Sequence, residues 1–142
     1  MRLLIDSNVF LEVLLEQAES DAAKDFLAHS DKHNFFISDF SLHSICLIVL
    51  RHKPVTLLEA FLTDTILAGS VIEISVPALE LKDVLNNMHR LNLDFDDAYQ
   101  YTLAEKNGLT LVSFDKDFDH TPNGRQSPQA INTLTLPNTP TS

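Results

Sequence analysis

Four short apolar runs alternate with longer helical patterns along this chain, and this alternation limits the possible folds more than any other feature. The runs are RLLI, FFIS, VIEIS and LTLVSF. Between them, apolar residues recur at spacings of three and four, which predicts amphipathic helices. Strands separated by helices favour an α/β fold, here a three-layer sandwich with a central, mainly parallel sheet of four to five short strands flanked by helices. AINTLTL, near the C-terminus, is the candidate fifth strand.

Capping residues predict where several helices begin and end. Ser20 is expected to cap the second helix, and Ser38 or Asp39 the third. Gly108 is expected to end the helix that precedes the fourth strand. The third helix contains ICLIVL, residues 45–50, and is apolar on nearly every side. Such a helix is typical of a central position.

The length of the chain and its apolar content predict one globular domain. The sequence has 142 residues, of which 44% are hydrophobic, and no repeat or linker divides it. We expect a single domain over residues 1–136 and a frayed tail over residues 137–142. The longest apolar stretch is too short to cross a bilayer, and the N-terminus does not resemble a signal peptide. Cys46 is the one cysteine, so a cytoplasmic location in a reducing compartment is expected.

The charge balance argues against nucleic-acid binding through a broad positive field. The formal net charge is −10, from 20 acidic residues against 10 lysines and arginines. The acids either form a solvated surface or collect at a cation site. A polyanionic substrate must then be met by a metal, by local basic residues or with help from a partner.

Aspartates end two of the predicted strands. Asp6 follows LLI, and Asp115 follows LTLVSF. Ligands of parallel α/β sheets bind at the carboxyl ends of the strands, where the connection order reverses, so both carboxylates are expected at one crevice. Asp6 alone would also suit a helix N-cap.

A further group of acids, LDFDD, opens the helix before the fourth strand. It holds Asp94, Asp96 and Asp97. A helix start favours acids through the macrodipole, a role that suits Asp94 or Asp96 better than Asp97. Crowded carboxylates raise one another's pKa unless a cation neutralises them, and Mg²⁺ prefers oxygen ligands of this kind.

With these motifs in place, the sequence resembles the PIN-domain ribonucleases, including the VapC-type toxins of toxin–antitoxin pairs. LLIDSNVFLE is similar to the opening strand of that family and its D-T-N motif, here Asp6, Ser7 and Asn8. FDDAYQYTLAEKNGLTLVSFDKDF is similar to the C-terminal half, in which a strand ends in T-x-D-x-D-F, with Ser113 in place of Thr. The resemblance covers residues 2–118.

The resemblance implies a site and a reaction. Catalytic and metal-binding roles fall to Asp6, Asp97 and Asp115, with Ser7, Asn8 and Ser113 as supporting residues. The implied activity is hydrolysis of RNA phosphodiesters by a water that Mg²⁺ or Mn²⁺ activates, leaving a 5′-phosphate and a 3′-hydroxyl. The implied partners are the RNA substrate, a small antitoxin and a second copy in a homodimer, with no membrane. Residues 61–74, FLTDTILAGSVIEI, are a candidate dimer surface or ordinary core.

One departure from the family pattern concerns a glutamate. The family usually carries it in the helix after the second strand, where this chain has Ser44, with His43 beside it. Three interpretations are open. His43 or Ser44 contributes directly or through water; Asp39 or Asp117 substitutes for the glutamate; or the protein is a poor nuclease. Asp117 is either a fourth ligand or a turn cap.

Two other classes of function compete with the nuclease. The first is a catalytically weakened PIN-like module that binds RNA or a protein partner. The second is a phosphate-handling α/β protein, such as a receiver domain or a phosphatase. Receivers need a lysine at a late strand end, where Asp115 stands, and the phosphatases need an aspartate where Asn8 stands. Arg125 is the basic residue best placed to reach a phosphate, or is a solvated loop residue.

Overall fold

Four parallel strands form the centre of the computed structural model, which describes residues 1–135 of the protein. They are β1 (Arg2–Ile5), β2 (Asn34–Ser38), β3 (Ile72–Ile74) and β4 (Thr110–Val112). In the sheet their order is β3-β2-β1-β4. The register aligns Leu3 with Phe35 and Leu4 with Leu111. The predicted tail lies outside the described residues.

Helices surround this sheet. They are α1 (Ser7–Leu14), α2 (Ser20–Leu27), α3 (Asp39–His52), α4 (Val55–Phe61), α5 (Leu81–Leu91), α6 (Phe95–Asn107) and α7 (Pro128–Thr135). A π-helical segment, Leu62–Leu67, continues α4. Gly108 ends α6 in the left-handed region, with φ of 62°, as predicted. Within residues 1–135, no helix is long and apolar enough to cross a membrane.

Two hydrophobic cores lie on the two faces of the sheet. On β1, Leu3 and Ile5 point into one core, with residues of α1 to α4 and α7. Leu4 points into the other core, with residues of α5, α6 and β4. This alternation is the period of a strand buried on both faces. The predicted three-layer α/β sandwich is therefore confirmed, with four strands.

The sheet order places a crevice between β1 and β4. The chain proceeds from β1 outward to β2 and β3, and β4 then adds on the other side of β1. The connection order therefore reverses at the β1–β4 pair. At their carboxyl ends the ladder continues through a hydrogen bond from the Asp6 amide to the Val112 carbonyl, at 2.9 Å. The residues that follow both strands are thus held side by side.

The predicted fifth strand is wrong, because its described residues, 130–135, lie in α7. The Ser127 hydroxyl accepts a hydrogen bond from the Ala130 amide at 3.1 Å, and Pro128 occupies the first helical position, where a missing N–H costs nothing. The Asn132 side chain donates to the Ala22 carbonyl at 3.1 Å, which ties α7 to α2. Helix capping and packing here override the β-branched composition.

The prediction that α3 is central is also wrong, because one of its apolar faces is exposed. Its buried side chains are Ser41, Ile45 and Val49, whereas Leu47 is 60% exposed and Leu50 is 52% exposed. The helix covers the sheet with one face and leaves an apolar face toward solvent. Cys46 is only partly buried, against the core.

Two serines expected to cap helices behave differently. The fully buried Ser38 caps α3, because its hydroxyl accepts a hydrogen bond from the Ser41 amide at 2.9 Å. The N-cap of α2 is Glu19 rather than Ser20, and that end has no side-chain cap. Only the first serine satisfies an amide that would otherwise lack an acceptor.

We predict that Ser38→Ala lowers the free energy of unfolding by about 1–2 kcal/mol, because the buried Ser41 amide loses its acceptor. Ser20→Ala is the matched control and is expected to change stability by less than about 0.5 kcal/mol. Urea unfolding of the two variants measures both effects. Equal stability losses would contradict this capping assignment.

Candidate active site

Asp6 is a buried carboxylate at the end of the central strand. It is 7% exposed, and four side-chain or backbone donors surround it. Its Oδ1 accepts from the Ser7 amide at 2.8 Å and from Gln100 Nε2 at 3.4 Å. Its Oδ2 accepts from the Ser113 hydroxyl at 2.8 Å and from Asn8 Nδ2 at 3.4 Å. These contacts fix the orientation of the carboxylate.

Ser113 links the two strand ends. Its hydroxyl is fully buried; it donates to Asp6 and accepts from Asn8 Nδ2 at 3.0 Å and from the Asp115 amide at 2.9 Å. A hydroxyl offers one donor and two acceptor sites, so all of its capacity is used. Asn8 completes the link, because its Oδ1 accepts from the Phe114 amide at 3.2 Å. Asn8 and Ser113 through their side chains, and Ser7 through its backbone amide, therefore form one network around Asp6.

Three other acids lie close together at the same edge. One carboxylate oxygen each from Asp97, Asp115 and Asp117 lies within 4.8 Å of the others. Asp97 stands in the first turn of α6, whereas Asp115 and Asp117 follow β4. Asp115 also accepts a hydrogen bond from the Asp117 amide at 2.9 Å. Asp117 thus both belongs to the cluster and takes part in the turn.

Burial and mutual repulsion make two of these acids hard to ionise. Burial raises the pKa of Asp6 to about 6, although the hydrogen bonds from Ser113 and Ser7 act in the opposite direction. Burial, and then the charges of Asp96 and Asp115, raise the pKa of Asp97 to about 8. The charge of Asp6 also raises the pKa of Asp97, and the charges of Asp115 and Asp96 raise that of Asp6. Such a set of carboxylates favours a cation.

A cavity of about 150 Å³ opens beside Asp6 and Asp97. Its lining also includes Ser44 of α3 and Gln100 of α6. His43 is exposed on α3 and does not line this cavity. Asp39 is held elsewhere, because its Oδ1 accepts from the Tyr99 hydroxyl at 2.7 Å. Of the side chains considered in place of the family's glutamate, Ser44 is therefore the one on the cavity wall.

The residues present suit a hard divalent cation. Asp97, Asp115 and Asp117 offer carboxylate oxygens at mutual distances that one ion can span, and Mg²⁺ or Mn²⁺ is bound by such oxygens together with water. The three acids predicted from sequence included Asp6 rather than Asp117. Asp6 lies beside the cluster with its four acceptor positions already engaged. The functional roles of Asp6, Asp97 and Asp115 stay predictions.

Arg125 and Gln100 also lie near the site. Arg125 is neither solvated nor free, since it donates to the Ser113 carbonyl at 3.0 Å and forms an ion pair with Asp119 at 3.0 Å. Gln100 was missed by the sequence analysis. It lies three residues after Asp97 on α6, a spacing that puts both side chains on the same face of a helix. That spacing was the available signal.

Comparisons with known proteins agree with this geometry. The PIN domain family matches residues 3–124. A search of curated proteins found no relative with significant sequence similarity. Several solved structures share the fold, and the three that follow are each 20% or less identical in sequence to this chain.

One is PAE2754 from Pyrobaculum aerophilum, with 18% identity, a TM-score of 0.67 and 94% coverage of each chain. VapC20 from Mycobacterium tuberculosis, described as a toxin that cleaves the sarcin–ricin loop, has 20% identity and a TM-score of 0.69, over 85% of this chain and 95% of that one. VapBC2 from Rickettsia felis, whose structure was solved bound to a DNA fragment from its promoter, has 17% identity and a TM-score of 0.67. The alignment covers 89% of this chain and 97% of that one. The family match spans most of the sequence, and this chain belongs to the PIN domain family.

Proposed function

We propose that this protein is a Mg²⁺- or Mn²⁺-dependent endoribonuclease and the toxin of a toxin–antitoxin pair. The observation that carries the proposal is the crowding of carboxylates at the β1–β4 crevice, where the pKa of Asp97 is raised to about 8. PIN domains are nucleases in general, and a bound cation relieves the repulsion among acids packed in this way. The same match to the PIN domain argues against a receiver domain or a phosphatase.

The acids have two roles in this proposal. Asp97, Asp115 and Asp117 would hold the ion, and the hydrogen-bonded Asp6 lies beside them at the end of β1. When bound, the divalent ion supplies a lowered pKa for a coordinated water and charge stabilisation for the phosphate. Ser113 and Asn8 keep Asp6 and the Asp115 backbone in register. No nucleophilic side chain is required, because water attacks the phosphodiester.

The rim of the cavity offers aromatic faces for an unpaired nucleobase. Phe40 lines the cavity and is 36% exposed; its ring centroid lies 6.0 Å from that of Phe95 and 5.5 Å from that of Tyr99. Bases splayed out of single-stranded RNA stack on such side chains, which contributes affinity without positive charge. This suits a protein with a net charge of −10.

The partner proposals rest on the solved structures that share the fold. One of them is a toxin–antitoxin complex from Klebsiella pneumoniae, with 18% identity and a TM-score of 0.64 over 89% of this chain and 97% of that one. We propose a small antitoxin and a homodimer for this chain as well. In the candidate dimer surface, residues 61–74, Phe61 and Ile66 are buried core residues, whereas Leu67 and Ile72 are exposed.

A second candidate function is a PIN-like module that binds RNA or a protein without cleaving. The observation that favours it is Ser44, which stands on the cavity wall where the family usually has a glutamate. One carboxylate fewer weakens the grip on a cation. Cleavage assays separate the two functions.

We predict that the wild-type protein cleaves a single-stranded RNA oligonucleotide when Mn²⁺ is added, and that Asp6→Asn and Asp97→Asn each lower the rate by about a hundredfold or more. Asp31→Asn is the matched control, because Asp31 is exposed and remote from the crevice. Denaturing gels with a 5′ label measure the rates. Equal cleavage by wild type and Asp6→Asn would contradict the nuclease proposal, and binding without cleavage would favour the second function.

A pH dependence of stability follows from the raised pKa of Asp97. Its carboxyl group normally titrates near 3.8 but in the folded protein titrates near 8. Between these pH values the folded state binds more protons than the unfolded state, so the free energy of unfolding falls as pH rises. We therefore expect the metal-free Asp97→Asn variant to melt above wild type at pH 8, with the gap closing toward pH 4.

Thermal melts with a chelator, at a series of pH values, measure this difference. The exposed Asp31→Asn variant is the control and is expected to follow the wild-type profile. An Asp97→Asn variant that melts below wild type at pH 8 and at pH 5 by the same margin would argue against repulsion among the acids.

We predict that Phe40→Ala weakens binding of a labelled single-stranded RNA by about fivefold or more, because one stacked base loses its platform. The control is Leu79→Ala, which removes an apolar side chain that is 90% exposed and outside the cavity. Fluorescence anisotropy with Ca²⁺ in place of Mn²⁺ measures the dissociation constants. Unchanged affinity for Phe40→Ala would remove the stacking role but leave the metal chemistry standing.

A further inference from the structure

Gln100 is a buried amide whose oxygen has no partner. The residue is 2% exposed, and its Nε2 donates to Asp6 at 3.4 Å. An ionised carboxylate only accepts hydrogen bonds, so the amide nitrogen must face Asp6 and the oxygen must point elsewhere. That oxygen, Oε1, is buried without a hydrogen-bond donor. An orphaned buried acceptor is costly, so it calls for an explanation.

The location of Gln100 supplies one. It lines the cavity together with Asp6, Asp97 and Ser44. Ser44, on α3, is too short to reach as far as the glutamate that the family usually carries there. The cavity of about 150 Å³ has room for several water molecules. Gln100, entering from α6, is therefore the longer oxygen-bearing side chain on that wall.

The Gln100 amide can serve Asp6 and a cation's water shell at once. The torsion that turns the amide plane is broad, so a modest rotation directs Oε1 into the cavity while Nε2 keeps its contact with Asp6. Waters bound to a divalent cation are strong donors and need acceptors around them. Outer-shell acceptors of this kind are a substantial part of metal affinity.

We propose that Gln100 takes over the position of the missing glutamate: its Oε1 accepts hydrogen bonds from the water shell of a divalent cation at the acid cluster, while its Nε2 holds Asp6. The inference rests on the metal site of the proposed function. Gln100 is a positioning residue, and it is neutral. The site therefore carries one negative charge fewer than the family's usual set of acids, which lowers both repulsion without metal and attraction for the ion.

Mn²⁺ titration of the full-length protein tests this proposal, followed by isothermal titration calorimetry and by the Mn²⁺-induced rise in melting temperature. Gln100→Leu is expected to raise the dissociation constant for Mn²⁺ by about tenfold or more. Gln100→Glu is expected to lower that constant and to give a larger Mn²⁺-induced rise, because it adds a carboxylate. Asn87→Leu is the matched control, since it removes a buried amide outside this cavity, one that contacts Thr102 at 2.8 Å.

The control separates a structural role from a role toward the metal. Asn87→Leu is expected to lower the melting temperature while leaving the Mn²⁺ dissociation constant unchanged. If Gln100→Leu and Gln100→Glu likewise leave that constant unchanged, the proposal is overturned. Should Gln100→Leu fail to fold, an unchanged constant for Gln100→Glu is enough to overturn it.

RNA cleavage by the wild type, measured in parallel, keeps the two proposals apart. Mn²⁺-dependent cleavage together with metal affinity insensitive to residue 100 refutes the role of Gln100 and leaves the nuclease intact. Affinity that responds to Gln100→Leu and Gln100→Glu, without any cleavage, supports the role of Gln100 and refutes the nuclease. A wild-type protein that binds no Mn²⁺ overturns both.

Discussion

The hydrogen bond from the Ser113 hydroxyl to the buried Asp6 carboxylate holds the site together. It joins the ends of the two strands at which the sheet reverses its connection order. Without donors, a carboxylate at this depth would be too costly to ionise, and even with them the pKa of Asp6 is raised to about 6. Asp6 also caps the N-terminus of α1, where its side chain accepts from the Ser7 amide. Its raised pKa beside further acids favours a functional role in addition to this structural one.

From this constraint the rest of the crevice follows. Ser113 also accepts a hydrogen bond from the Asp115 amide. The acids after β4 are therefore held in place relative to Asp6 at the end of β1. Helix α6 then brings Asp97 and Gln100 to the same edge on one face. Of the basic side chains nearby, Arg125 pairs with Asp119 and donates to the Ser113 carbonyl, whereas Lys116, between Asp115 and Asp117, is exposed. In the proposed function, a polyanion at this edge would bind mainly through a cation and the aromatic rim.

Local patterns in the sequence were enough to predict the sheet and to predict that the acids at the strand ends lie close together. The strands are short apolar runs with clear boundaries, and parallel topology brings their carboxyl ends together. Local patterns failed where packing decides the outcome. AINTLTL has the composition of a strand, but residues 130–135 of it lie in α7, because Ser127 and Pro128 start a helix that packs on α2. Likewise, an apolar α3 was expected to be central, yet half of it faces solvent.

The site was only partly predicted for the same reason, because some of its residues are brought together by tertiary packing. Asp6 and Asp115 could be placed from strand ends, whereas the entry of Asp117 into the acid cluster depends on the turn after β4. Gln100 looks like an ordinary helix residue until tertiary packing buries its amide beside Asp6.

The most direct test of a shared cation site is anomalous diffraction from crystals soaked in Mn²⁺. A manganese peak is expected about 2 Å from carboxylate oxygens of Asp97 and Asp115; full Mn²⁺ occupancy elsewhere, with none at these acids, would contradict a shared cation site.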